Sequence, residues 1–291
     1  MVKKQSFLRV LGLKNAVFGL KMGFERAKIG CNNRVFGCFL AVFRGKKCFN
    51  CFSCSACSGG TAGCKSGGLG GVAKGLILYF CGMLKVFPNN PYQENTIVLY
   101  DDSLQCAIID PGMYTSAEQN AVVNFISDKG LKPVLLLNTH CHIDHVLGNK
   151  FVFDQYGLKP QFNIGEQDTM DAVSAYAPSM GFNYELSPNP EVYLPETGTV
   201  SFGNTELELI FAPGHSPASL CFYNRKDNVL VGGDVLFRGS VGRSDLPGGN
   251  GALLLKNIKE KLFTLPDDCT VYPGHGPETT IGYEKDTNPF F

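Results

Sequence analysis

Residues 83–291 are predicted to form an α/β domain, on three observations. Short apolar and β-branched runs recur along this segment, helical stretches separate some of them, and every histidine of the chain follows the end of such a run. Strands in groups, interrupted by helices, bury their apolar surface by packing helices on sheet faces. The strand-like runs are, in order, residues 96–100, 106–109, 133–137, 200–202, 206–211, 220–223, 229–231 and 270–272. A first helix begins after Thr115, where Thr-Ser-Ala-Glu is a capping box with Thr115 as the cap and Glu118 reaching back. Val122, Val123 and Ile126 share its apolar face, and Gly130 is its natural stop. A second helix is predicted over residues 166–180, with Gly181 as its stop. A third covers residues 251–265 and ends before Pro266, whose ring cannot continue it.

The charge of the chain cancels, with 26 basic and 26 acidic side chains, but the two signs are segregated. Residues 1–82 carry 13 Lys and Arg against the single acid Glu25, a net +12; residues 83–291 carry the other 13 bases against 25 acids, a net −12. All 16 prolines and all 5 histidines lie beyond the break, which falls at Met83. Residues 1–82 therefore read as an N-terminal extension and residues 83–291 as one domain of ordinary size. For the extension three readings stand. Its basic, acid-poor start, with an amphipathic stretch over residues 7–29, suits an organellar presequence. Cys48, Cys51, Cys54 and Cys57 form overlapping C-x-x-C units that resemble part of a ferredoxin cluster loop, without its closing Cys-Pro step. A start placed too far upstream would produce the same break, and the Gly/Ser/Cys-rich residues 58–71 are expected to be flexible. No stretch approaches the ~20 apolar residues of a membrane span. The acidic domain is unsuited to broad nucleic-acid binding.

The chemistry is concentrated in the histidines. His140, His142, Asp144 and His145 form H-x-H-x-D-H after the run 133–137. In extended backbone, residues i and i+2 face the same way, so His140 and His142 can hold one ion together. Asp144 and His145, where the chain turns, can reach a second ion beside it. His215 follows the run 206–211 in P-G-H-S-P, Asp234 follows 229–231 in G-G-D, and His275 follows 270–272 in P-G-H-G-P. Four strand ends thus each deliver a residue of zinc-ligand type. Cys141 and Cys221 lie close to these motifs and read as small packing residues. Cysteines 106, 141, 221 and 269 show no close-spaced disulfide pattern, which points to a reducing, cytoplasmic compartment, or to an organelle if the extension is a presequence.

These motifs resemble the metallo-β-lactamase superfamily, across residues 83–291 and not before. The Asp110-Pro111-Gly112 step and the run G-R-S-D-L-P-G-G over residues 242–249 look like its single-domain, glyoxalase II-like hydrolases. The resemblance implies an αββα sandwich of two mixed β-sheets with helices outside and a metal site at one edge. It implies that His140, His142 and His215 hold a first metal, that Asp144, His145 and His275 hold a second, and that Asp234 bridges them. Two zinc ions are expected, with iron or manganese as alternatives.

The activity implied is hydrolysis of a thioester such as an S-acyl glutathione, by attack of a metal-bridged hydroxide that Asp144 orients. Two dications lower the pKa of shared water, so no Ser or Cys nucleophile is required. Full-length glyoxalase II enzymes carry a C-terminal helical domain with glutathione contacts. This sequence has 16 residues after His275, so the thiol carrier stays open. Arg243 is the candidate partner for a substrate carboxylate, which guanidinium pairs bidentately; a loop-stabilising arginine is the alternative. The competing activities are a mononuclear-iron persulfide dioxygenase, which looks similar, and hydrolysis of another ester or amide. The partner expected is a small-molecule thioester, with no nucleic acid and no membrane.

Overall fold

The computed structural model describes residues 83–291, together with two three-residue strands, β1 (Phe39–Ala41) and β2 (Leu78–Phe80), which pair antiparallel. The presequence-like start, the Cys48–Cys57 units and the Gly/Ser/Cys-rich tract lie outside the described residues. Gly82–Phe291 is one unit built on two sheets. The first has the order β3 (Met83–Asn89), β4 (Glu94–Tyr100), β5 (Gln105–Ile109), β6 (Lys132–Leu137) and β7 (Pro160–Gln161). Its first three strands are antiparallel and its last three parallel. The second contains β8 (Thr199–Phe202), β9 (Thr205–Phe211), β10 (Leu220–Asn224), β11 (Val229–Gly233), β14 (Thr270–Pro273) and β15 (Thr279–Thr280). Within it only β11 and β14 are parallel. A small hairpin, β12 (Leu236–Phe237) with β13 (Ser240–Val241), follows β11.

The central strands are apolar on both faces because both faces are covered. Ile97, Leu99, Ala107, Ile109 and Leu137 of the first sheet pack against Leu207, Leu209, Leu220, Phe222 and Val231 of the second. The alternate residues Val98, Cys106, Ile108 and Leu136 point the other way, onto Val122 and Ile126 of helix α1 (Ser116–Asp128). On the far side Cys221, Tyr223 and Leu230 meet Leu254 and Ile258, four residues apart on one face of a helix. The result is the four-layer αββα sandwich.

The capping box of α1 is made in both directions. The Glu118 amide donates to Thr115 Oγ1 at 3.3 Å, and the Thr115 amide donates to Glu118 Oε2 at 2.8 Å. Gly130, at φ +64°, turns the chain out of the helix. The other helices are α2 (Ile143–Val146), α3 (Asn149–Tyr156), α4 (Gln167–Tyr176), α5 (Gly251–Glu260) and α6 (Ile281–Thr287). The predicted helix over 166–180 is three pieces: a 3-10 turn Ile164–Glu166, α4, and a second 3-10 turn Ala177–Met180 containing Pro178. Proline lacks the amide that would continue the α ladder. The helix predicted to reach residue 265 ends as α5 at Glu260, and a separate 3-10 turn Leu262–Thr264 precedes Pro266.

Thr115→Ala should lower the stability of the domain by about 1 kcal/mol, read from the denaturant midpoint. An unchanged midpoint would show that Glu118, which also accepts from the amides of Asn90 and Tyr114, secures the helix start without the cap hydroxyl.

Candidate metal centre

Strand direction decides where the chemistry gathers. β9, β11 and β14 run the same way, so their C-terminal ends share one edge of the second sheet. They release His215, Asp234 and His275. The parallel pair β5 and β6 of the first sheet releases Asp110 and the stretch His140–His145. His142 ends the extended part at φ −66°, ψ 152°, and α2 then turns Asp144 and His145 inward.

Two ligand-like trios result, His140 with His142 and His215, and Asp144 with His145 and His275, each with its donor atoms within 4.8 Å of one another. In the first, His142 Nδ1 lies 2.9 Å and His140 Nε2 lies 3.2 Å from His215 Nε2. In the second, Asp144 Oδ2 lies 3.1 Å from His275 Nε2 and 3.7 Å from His145 Nε2. Asp234 stands between the trios. Its Oδ2 is 3.4 Å from His215 Nε2 and 3.5 Å from His275 Nε2, and its Oδ1 is 3.5 Å from His145 Nε2. Gly274 makes the approach possible: a Cβ there would sit 2.2 Å from Asp234 Oδ1.

The other ring nitrogens show what these atoms are for. His215 Nδ1 donates to the Arg243 carbonyl at 2.7 Å and His275 Nδ1 to the Tyr92 carbonyl at 3.0 Å. His145 Nδ1 donates to Asp110 Oδ2 at 3.1 Å. The Thr139 hydroxyl gives its proton to Asp110 Oδ2 at 2.6 Å and accepts from His140 Nδ1 at 3.0 Å. In these four imidazoles the outer nitrogen has a fixed oxygen partner and Nε2 is the atom aimed inward, which in the neutral ring is the tautomer a metal needs. Imidazole nitrogens facing one another at these distances repel unless a proton or a metal cation lies among them. His145 Nε2 and Asp234 Oδ1 are buried with no hydrogen-bond partner. The donor set thus fits divalent metal.

The electrostatics divide the cluster: burial opposes the charge of His145, but Asp144, Asp234 and Asp110 outweigh it and hold it well above its ordinary pKa. Burial and the neighbouring imidazoles hold His140 well below its ordinary pKa, so it is neutral and ready to ligate. Burial, with His215 and His145, brings His142 down to about 4. Burial opposes the charge of Asp234, but His145, His215 and His275 outweigh it and keep the carboxyl ionised far below the usual range. Asp144 is also lowered, by His145 and His275, against the burial that would raise it.

The seven residues that the H-x-H-x-D-H, P-G-H, G-G-D and P-G-H-G motifs single out are all brought to this edge. The Arg243 guanidinium is not: it is 62% exposed and paired with Asp245 at 2.8 Å, and only its carbonyl enters the site. Asp110 is a site residue that the histidine motifs do not single out. It follows strand β5 as the others follow theirs, and its φ of +48° aims it at Thr139 and His145. It also falls into a third trio with His140 and His145. That grouping orients imidazoles instead of holding an ion, because the Asp110 oxygens already accept from Thr139 and His145. Cys141 and Cys221 are buried away from the cluster, and burial pushes the Cys221 thiol up to about 12.

Two mixed sheets face to face, helices outside, and a histidine–aspartate cluster on the shared edge define an αββα protein built around a metal centre. Residues 89–275 match the profile of the Metallo-beta-lactamase superfamily, and the chain belongs to it. A "Probable metallo-hydrolase YqgX" of Bacillus subtilis (strain 168) is 38% identical over 204 residues, covering 70% of this chain and 94% of the relative. A "Hydroxyacylglutathione hydrolase GloC" of Haemophilus influenzae is 33% identical over 213 residues, covering 71% of this chain and 97% of that one. Among solved structures, BLEG-1 B3 metallo-beta-lactamase has a TM-score of 0.66 at 36% identity, covering 72% of this chain and 99% of its own. A di-iron-bound form of TTHA1623 has a TM-score of 0.65 at 33% identity, covering 71% and 100%. On these grounds the protein is a metal-dependent hydrolase of that superfamily.

His142 and His275 should titrate apart once metal is stripped. His142 should gain its proton only near pH 4. For His275 burial is outweighed by the Asp144 hydrogen bond and by Asp234, so it should charge above its ordinary value of about 6.5. Histidine NMR titration of the chelated protein checks the order, and His142 charging before His275 would contradict this geometry.

Proposed function

We propose that the protein hydrolyses thioesters of the S-acyl glutathione class with two divalent metals, zinc in the first instance. His140, His142 and His215 would hold one ion, Asp144, His145 and His275 the other, and Asp234 would touch both. The observation that carries this reading is the inward convergence of imidazole nitrogens with the Asp144 and Asp234 carboxylates, His145 Nε2 and Asp234 Oδ1 being buried without a hydrogen-bond partner. The GloC relative, similar over nearly its whole length, supports the thioester class. When bound, the metals supply Lewis acidity toward a carbonyl and an activated water near neutral pH, and zinc in addition accepts a leaving thiolate.

The chain's own residues do the rest. His140 and His145 are fully buried, whereas the His275 side chain is 26% and that of Asp144 15% exposed, so substrate approaches from the side of these two. Phe237, edge-on to His275, borders that opening. Asp144 Oδ2 faces His275 Nε2, and the Asp144 backbone is held by Asn90 Nδ2 at 3.0 Å. A fixed, ionised carboxylate there can accept a hydrogen bond from an attacking water and orient it. Neither nearby thiol competes as a nucleophile, since burial raises both Cys141 and Cys221. Cysteines 106, 141, 221 and 269 are free and buried, which supports a reducing compartment such as the cytoplasm. Among the described residues no helix is long and apolar enough to cross a membrane. The substrate partner we propose is a small molecule, not nucleic acid or lipid.

Zinc-loaded full-length protein should hydrolyse S-lactoylglutathione, and Asp144→Asn should lower kcat at least about tenfold with little change in KM. Oxygen uptake on glutathione persulfide by an iron-loaded protein, without thioester hydrolysis, would replace this reading with the dioxygenase one. Turnover of a β-lactam alone would do the same for a lactamase.

A further inference from the structure

Glu166 has no part in either trio, yet it touches the backbone of both loops that supply the first one. It ends the 3-10 turn Ile164–Glu166 and is completely buried. Its Oε2 accepts from the Cys141 amide at 3.0 Å, the peptide group between His140 and His142. Its Oε1 accepts from Ser216 Oγ at 2.6 Å and from the Ala218 amide at 2.7 Å, in the loop that carries His215. No lysine or arginine pairs with it among the described residues. Burying a carboxylate without a counter-ion is costly, and here three donors offset the cost.

The turn beneath it is seated tightly. A Cβ on Gly165 would lie 2.7 Å from Ala218 Cβ, so the backbone could not pack there with a larger residue. Asn163 secures the turn from within, accepting from the Gly165 amide and donating to the Leu194 carbonyl, each at 3.0 Å. One further bond joins the two loops directly, from the Leu220 amide to the Thr139 carbonyl at 2.8 Å. That bond fixes their spacing at one end, and Glu166 fixes it where the histidines leave the chain. The second trio draws His275 from a loop that Glu166 does not reach.

We infer that Glu166 is a positioning residue for the first metal site: one buried carboxylate clamps the His140–His142 loop to the His215 loop and so sets how closely these three imidazoles converge. The inference rests on the reading that the cluster holds two metals, and not on the choice of substrate. Glutamine has the same shape but presents an NH2 group in place of one oxygen. In either orientation that group faces a backbone amide, of Cys141 or of Ala218, and one link of the clamp is lost.

The test is metal uptake, not turnover. Metal-stripped full-length protein is titrated with zinc against a chromophoric chelator, and each binding step is assigned by which histidine NMR signals move. Wild type should show two steps. Glu166→Gln should weaken the step that moves His140 and His215 by roughly ten- to a hundredfold, leaving the step that moves His275 within about twofold. Ser216→Ala, which removes one donor and spares the carboxylate, should shift the same step by less, and it serves if the glutamine variant fails to fold. Asp101→Asn is the comparison. Asp101 is another buried carboxylate, accepting from Ser103, Asn204 and Thr205 in turns that carry none of the ligand-type residues. It should lower the melting temperature and leave both steps intact. Equal weakening of both steps by the Glu166 and Ser216 variants, no weakening by either, or the same selective loss in Asp101→Asn would overturn the inference alone. A wild-type protein that takes up no zinc would overturn it together with the metal reading beneath it.

Discussion

Imidazole nitrogens turned toward one another at one edge of the sandwich are the constraint on which the rest of this structure depends. Each of four histidines spends its outer nitrogen on a fixed oxygen, that of Tyr92, Thr139, Arg243 or Asp110. The inner nitrogens are thereby left facing one another, and the cluster favours a positive charge, of protons or of metal, among them. Asp234 supplies the opposite sign from the chain itself, placed within 3.5 Å of nitrogens from both trios. The protein thus favours a doubly charged guest before any guest arrives, and metal binding and fold stability are coupled through the same atoms.

That arrangement needs a scaffold which brings separated loops to one place and keeps them there. The sandwich does so because strand direction, not sequence distance, sets the edge at which each loop emerges. Alternation along the strands divides the apolar surface between the inter-sheet core and the helix-covered faces, leaving the loops at the edge free for polar residues. Those loops are then tied to one another by asparagines. Asn95 donates to the carbonyls of Pro273 and Gly276 on either side of His275, and Asn90 to those of Gly112 and Asp144. Backbone carbonyls held in this way fix the ligand-type side chains without crowding them.

Much of this is legible along the chain, for reasons that differ by residue. The central strands announce themselves because both faces are buried, so 96–100 and 220–223 are continuous apolar runs. The first strand, Met83–Asn89, does not, since Lys85 and Pro88 interrupt it at an edge where only one neighbour is present. The helices α3 and α6 are short, and packing, not pattern, holds them. The seven ligand-type residues stand out because His and Asp after strand ends have few other uses. Their supports do not: a carbonyl such as that of Tyr92 or Arg243 belongs to every residue, and nothing in its side chain marks it. Arg243 drew notice for its guanidinium and matters through its carbonyl. Glu166 is one acid among 26 until its three donors are seen together.

We propose that this edge holds two metals, one in each trio. Anomalous diffraction at the zinc edge, from crystals of the zinc-loaded protein, tests it most directly. Two peaks should appear about 3.5–4 Å apart, one bounded by His140, His142 and His215 and one by Asp144, His145 and His275, with Asp234 between them. A single peak, or peaks lying outside these residues, would contradict it.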